Sequence, residues 1–254
     1  MPYDLSKFSL GDMLKISPRL REAATGAPTF ELAAQRVCRF IYDELQDADG
    51  KRQCALVRCY KTNSFGSLDS DLQSFARTLM GFRQPWPEMK CLTLMATVGQ
   101  TAIWNSRHSS RGHRAIPLPS PEIVEKAPMI SQLIKEFGLE ISNVIQPSAE
   151  VVRELAGKRH GVFHVENALG SPYIPAQEDF VVRFGIQSVV GFGGLLITGD
   201  LFAVVLFTNV QVSQPTADRF RTLALDVKSG LSRYNEATTF NQTRPSPLAA
   251  VRTP

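Results

Sequence analysis

The sequence has no apolar run long enough to span a membrane, which takes roughly 20 uninterrupted apolar residues. The strongest candidate, Ser188–Val210, is broken by Gly193, Gly194, Gly199 and Asp200. Residues Met1–Lys7 lack the basic-then-apolar order of a secretory signal. These absences lead us to expect a cytoplasmic chain with no membrane partner. Charge of one sign is equally scarce: 28 basic against 24 acidic residues leave a formal net charge of +4. That surplus is too small and too dispersed for a nucleic-acid partner, which needs a basic face or stripe. The four cysteines, Cys38, Cys54, Cys59 and Cys91, form no Cys-x-x-Cys pair. They fall inside apolar patterns and read as buried free thiols of a reducing compartment. No Gly-x-Ser-x-Gly elbow, His-Glu-x-x-His pair or recognisable carboxylate pair is present, so an enzymatic reading starts without a motif.

What is there is an ordinary globular composition, 43% apolar and 20% charged over 254 residues, enough for one large domain. The most informative stretch is Gln187–Lys228. Two strands, Ser188–Leu195 and Leu201–Thr208, flank a turn in which Gly199 supplies the positive φ a short hairpin requires. Both alternating sets of the second strand are apolar, which predicts a strand covered on both faces. A helix over Thr216–Ala237 follows, with Phe220, Leu223, Ala224, Val227, Leu231 and Tyr234 along one stripe.

Upstream, the pattern predicts a helix over Leu10–Ala24 with Ser9 as N-cap, kinked or divided at Pro18. A second helix is predicted over Thr29–Asp47, with Phe30, Ala34, Val37, Ile41 and Leu45 in a stripe. A strand over Gln53–Thr62, a helix over Leu68–Leu79 and a strand over Lys90–Val98 come next. Residues 99–121 read as a polar stretch. Helical segments follow at Pro121–Lys126, Met129–Phe137 and Ala149–Leu155, then a strand over Gly161–Val165 and a helical turn over Gln177–Arg183. Five strands joined mainly by hairpins and cross-connections give an antiparallel sheet of the α+β class. The expected division is a helical lead-in over 1–28, one domain over 29–237 and a flexible tail or linker over 238–254.

This order, together with the segments Cys54–Thr62, Lys90–Thr97, Gly170–Gln177 and Ser188–Leu195, resembles the GAF family of ligand-sensing domains, relatives of PAS domains. The likeness covers about residues 1–236 and is nearest to bacterial input modules found ahead of histidine kinases and diguanylate cyclases. It implies a GAF/PAS-like central antiparallel sheet of six strands, flanked by the N- and C-terminal helices. It also implies a pocket between the sheet and the insertions. Function is then expected to be non-catalytic: a small molecule binds and the terminal helices of a homodimer signal to a partner or output domain. Alternatives are a small GAF-fold redox enzyme with a reactive cysteine, or a purely structural interaction module. The cysteine-bearing bilin attachment pattern and the NKFDE-type motif of cyclic-nucleotide-binding relatives are not visible. The ligand, and any cofactor, is left unassigned.

Eight residues are candidates for the pocket. Arg58 alternates with Leu56 and Tyr60 on the first strand, where a charge is costly unless paired or bound to ligand. It is either an inward anion anchor or an edge residue partnered by an acid. The polar stretch offers Trp104, Arg107, His108 and His113, whose basic and imidazole groups suit an anion. Two histidines five residues apart match no standard metal spacing. His164 stands on the short strand, about 13 Å along an extended chain from His160, too far for one shared metal. Tyr173, between Pro172 and Pro175, offers a ring with one polar handle in a rigid connection.

Overall fold

A computed structural model describes residues 2–156, 158 and 161–241. Six antiparallel strands, β1 (Cys54–Ser64), β2 (Lys90–Gly99), β3 (Ala115–Pro117), β4 (Val162–Val165), β5 (Ser188–Leu195) and β6 (Leu201–Thr208), form one sheet in the order β3-β2-β1-β6-β5-β4. The β5–β6 hairpin has the bounds expected, and Gly199 sits at φ 82° in its turn. The fold is α+β, with the central antiparallel sheet expected.

Alternation along the strands divides the core in two. Val57 and Cys59 of β1, Val190 and Phe192 of β5, and Val204 and Leu206 of β6 face one side. There they meet α1 (Leu10–Ala23), α2 (Phe30–Glu44) and α8 (Gln214–Leu231). The helical stripes read from the sequence are the buried ones: Phe30, Val37 and Ile41 on α2, and Phe220, Leu223, Val227 and Leu231 on α8. Burying one such Phe or Leu contributes about 1.5–3 kcal/mol. Residues Tyr3, Phe8, Met13, Ile16 and Leu20 belong to the same cluster, so the amino-terminal segment shares the core of α2 and α8. Helix α1 starts on a reciprocal Ser9–Asp12 capping box and runs through Pro18 as one helix of 14 residues. Pro18 is exposed, so the carbonyl left without its donor faces water, and no break results.

The opposite face carries Leu56, Phe163, Val189, Ala203, Val205 and Phe207. It is covered by α4 (Pro121–Val124), α5 (Pro128–Glu136), α6 (Ile141–Ile145) and the π-helical turn Gln177–Val182, with Leu133, Ile134, Phe137, Val144 and Val181 packed in. Helix α7 (Ala149–Ala156) completes the insertion. A smaller cluster of Leu72, Ala76, Met80, Cys91 and Ala115 fixes α3 (Ser70–Met80) over the β3 edge.

Three expectations needed revision. Strand β3 lies in the stretch read as polar and helix α6 in a segment given no element, because runs of three and five residues are too short to show a period. Helix α8 ends at Leu231 rather than Ala237. The chain then turns so that Tyr234 Oη donates to Ala27 O at 2.8 Å, and a 3₁₀ turn forms over Glu236–Thr238. Within the expected tail, Thr239 O accepts from Glu31 N at 3.0 Å and Phe240 packs on the core. The rest of that tail lies outside the described residues.

Candidate functional site

The site begins on the insertion face at the β1–β2 half of the sheet. Leu56, Arg58 and Tyr60 project from alternate positions of β1, and Arg58 stands opposite Thr97 of β2 and Val205 of β6. Through Val205 the same row continues to Gly191 of β5 and Phe163 of β4. The far half of the row is apolar and packed against Leu133 and Tyr173. The near half is polar.

Arg58 is only 9% exposed and pairs with no carboxylate among the described residues. Its Nη1 donates to Tyr60 Oη at 3.3 Å and its Nη2 to Ser110 Oγ at 3.1 Å. Its Nε is buried and has no hydrogen-bond partner among the described residues, and the same holds for Oγ1 of the facing Thr97. A buried polar atom without a partner costs roughly 1–3 kcal/mol, and more when the group is charged. His113 sits in the left-handed region at φ 57°. Crowding by protein, and then the nearby Arg58 guanidinium, hold its pKa below the usual histidine value. The residue keeps an exposed edge, so the imidazole lies between the Arg58 site and solvent.

Trp104 closes one end. A Cβ on Gly99 would lie 2.8 Å from Trp104 Cε3 and 2.9 Å from Ala55 O, so only glycine lets the indole lie on the β1–β2 pair. The ring stacks edge-on to Phe180 at 5.8 Å and meets Phe184 at 4.5 Å. Asn105 pins the turn by donating to Gly99 O at 3.1 Å and Thr101 O at 3.0 Å.

No protein-family model matches the sequence, and no curated protein matches it. Among solved structures, the GAF domain from a phosphoenolpyruvate-protein phosphotransferase of Coxiella burnetii is similar in fold to this chain. It shares 12% identity over 87% of this chain and 93% of that one, with a TM-score of 0.46.

Of the eight candidates, the structure brings Arg58, Tyr60, His113 and Trp104 to this half of the insertion face. Four lie elsewhere. Arg107, three residues before Ser110, turns the other way and is 6% exposed at its side chain. Its Nε meets Glu31 Oε1 at 2.7 Å, its Nη1 meets Asp69 Oδ2 at 3.4 Å, and its guanidinium lies over the Phe240 ring at 5.4 Å. His108 is exposed beside Glu31, at 4.0 Å. His164 points to the helical face, as its register partner Val190 does. There its Nδ1 meets Gln214 Oε1 and its Nε2 meets Val212 O, each at 2.8 Å. Tyr173 is on the correct face but three strands away, edge-on to Phe163 at 6.3 Å. His160 lies outside the described residues. Thr97 and Ser110 were not foreseen; cross-strand pairing with Arg58 was a usable signal for Thr97, whereas nothing in the sequence singles out Ser110.

The four cysteines are buried and free. Burial pushes the thiols of Cys54, Cys59 and Cys91 up to about 12 and raises that of Cys38 above its ordinary range as well. A thiolate nucleophile needs the opposite setting, an electropositive and accessible one. Among the described residues no group of histidines, cysteines and carboxylates could hold a metal ion, and no helix is long and apolar enough to cross a membrane.

Proposed function

We propose that this chain is a non-catalytic sensory domain. It binds a small molecule at the β1–β2 half of the insertion face and passes occupancy to its C-terminal segment, where a partner reads the change. The observation that carries this reading is the double engagement of residues 105–113. One side of that segment sends Ser110 and His113 to Arg58. The other sends Arg107 to Glu31, in the first turn of α2, and to Phe240. Glu31 Oε2 also accepts from Asn241 N at 3.0 Å. A displacement of the segment at Arg58 therefore has a direct mechanical route to the residues that follow α8, and a ligand shifts that equilibrium by its differential affinity for the two arrangements. The redox-enzyme alternative loses support from the buried, protonated thiols.

Native mass spectrometry of the freshly purified full chain is expected to show a small-molecule adduct that dialysis removes. Amide exchange at 105–113 and 236–241 should slow together in the adducted protein. Protection confined to 105–113 would mean binding without transmission and would sink the sensory reading, as would a chain that never carries an adduct.

The proposal includes a homodimer. The stripes of α2 and α8 are spent within one chain, and the apolar surface that remains on the terminal helices is the outer side of α1, where Leu10 and Leu14 are 59% and 63% exposed. One turn apart, they form a ridge suited to an isologous contact. Light scattering should give twice the chain mass at high micromolar concentration, and Leu14→Glu should return it to a monomer. A monomeric wild-type chain counts against the dimer.

A further inference from the structure

Three features compete for an explanation outside the core. In the Lys61–Asp200–Lys90 cluster both ammonium groups already bond the one carboxylate, at 2.7 and 2.8 Å, and Lys61 spends its other protons on Asn63 Oδ1 and Thr62 O. The open cleft of about 610 Å³ near Tyr42, Lys51, Arg52 and Gln100 is lined by an arginine already engaged with Asp43 at 2.9 Å. Arg58 is different, because it is a buried cation with donors left over.

The guanidinium carries five N–H donors in a planar fork. Its hydrogen bonds to Tyr60 Oη and Ser110 Oγ use one donor on each terminal nitrogen and leave Nε–H unused. Tyr60 Oη accepts from Arg58 and keeps its own proton to give elsewhere, whereas Ser110 Oγ already donates to Gly112 O at 3.5 Å. Thr97 faces Arg58 in the register, fully buried, with its hydroxyl equally unengaged. The near half of the row thus presents one fixed positive charge and several hydrogen-bond donors, with no acid among them. That set is best complemented by negatively charged oxygen atoms, whose charge-assisted hydrogen bonds are the strong ones.

We infer that the ligand is an anion whose oxygen atoms are held by Arg58 and Thr97, with Tyr60 donating from the side. This rests on the binding half of the proposed function and is independent of the signalling half. The head group is compact, a carboxylate or an inorganic oxyanion, because the rest of the row is occupied by Val205, Leu133 and Phe163. Entry requires residues 105–113 to swing out, since Ser110 is buried over the guanidinium.

The test uses the full chain titrated with potassium acetate, nitrate and phosphate against potassium chloride at constant ionic strength, followed by the ring resonances of His113. Saturable shifts are expected with at least one oxyanion and not with chloride. Acetate alone would indicate a carboxylate ligand, and nitrate or phosphate alone an inorganic one. Arg58→Gln should weaken binding by about tenfold or more, the scale of one charged hydrogen bond. Thr97→Val should weaken it several-fold. Thr97→Val should melt no lower than wild type, because it removes a buried hydroxyl that has no partner. Should Arg58→Gln fail to fold, Thr97→Val decides. No saturable shift with any oxyanion overturns the inference, as does affinity unchanged in the folded variants. If anions bind at Arg58 but exchange at 236–241 stays the same, the anion site stands and the sensory reading falls.

Discussion

Replacing Asp200 by asparagine is expected to destabilise the protein by about 3–5 kcal/mol, the usual cost of leaving buried charge without its partner. Asp200 stands at the start of β6, at the tip of the β5–β6 hairpin. Its Oδ2 accepts from Lys61 Nζ at 2.7 Å and its Oδ1 from Lys90 Nζ at 2.8 Å. Lys61 is 5% exposed at its side chain. It spends its other two protons on Asn63 Oδ1 at 2.9 Å and Thr62 O at 3.1 Å. Burial alone would raise the Asp200 carboxyl, but Lys61 and Lys90 together outweigh it and hold it below its ordinary value. Burial lowers the Lys61 ammonium by more than Asp200 restores. One carboxylate therefore ties the hairpin tip to both β1 and β2, and without it two ammonium groups repel each other.

The pH dependence has a definite sign. Because Asp200 titrates lower in the folded chain than in the unfolded one, its contribution is complete above the ordinary carboxylate value of about 4 and is lost as pH falls toward the folded value. Urea unfolding at neutral pH should show the full difference between wild type and Asp200→Asn, and the difference should shrink as pH falls below about 4. Lys90→Met, which leaves the Lys61 pair intact, should cost only about 1 kcal/mol. A loss of under about 1 kcal/mol for Asp200→Asn, or a gap that ignores pH, would refute this account.

Arg107→Ala should be comparably severe, about 3–5 kcal/mol, and should carry a local signature. It strips Glu31 of its guanidinium, whose Nε and Nη2 lie 2.7 and 3.3 Å from the two carboxylate oxygens. It also frees the Asp69 end of α3 and uncovers the Phe240 ring. Amide exchange over 105–113 and 236–241 should rise more than in the β5–β6 hairpin. Arg107→Lys should recover part of the stability, since an ammonium keeps the charge but cannot form the fork. Arg107→Met combined with Glu31→Leu should recover most of it, because an apolar pair removes both buried charges. Uniform exchange across the chain in Arg107→Ala would reduce Arg107 to a general support of the core and remove the route on which signalling depends.

His164 and Arg107 show where reasoning from sequence went astray at the site. Both were expected to line one pocket. His164 shares a strand with Phe163, and neighbouring residues of a strand point to opposite faces. Once Phe163 is assigned to the insertion face, His164 is committed to the helical one, but that assignment depends on register. Arg107 is separated from Ser110 by less than one helical turn of chain, yet the two serve opposite sides of the same segment. No periodicity exists in such a loop to tell one side from the other.

By itself, the sequence determined the elements whose signal is repeated many times. The stripes of α2 and α8 and the two-faced apolar alternation of β6 are long enough for burial to leave one arrangement, so an antiparallel α+β sheet under terminal helices was legible. The positive φ at Gly199 likewise follows from local sterics alone. The tertiary structure decided everything that depends on which chemically similar residues meet. It left Arg58 without an acid beside an unengaged Thr97, while giving Arg107 two carboxylates and Asp200 two lysines. All three are buried charges, and nothing in the sequence around each one names the partner it meets. What separates them is the identity of the atoms within a few ångströms, contributed by segments distant in sequence, and the high cost of an unpaired charge makes that difference the one with chemical consequences.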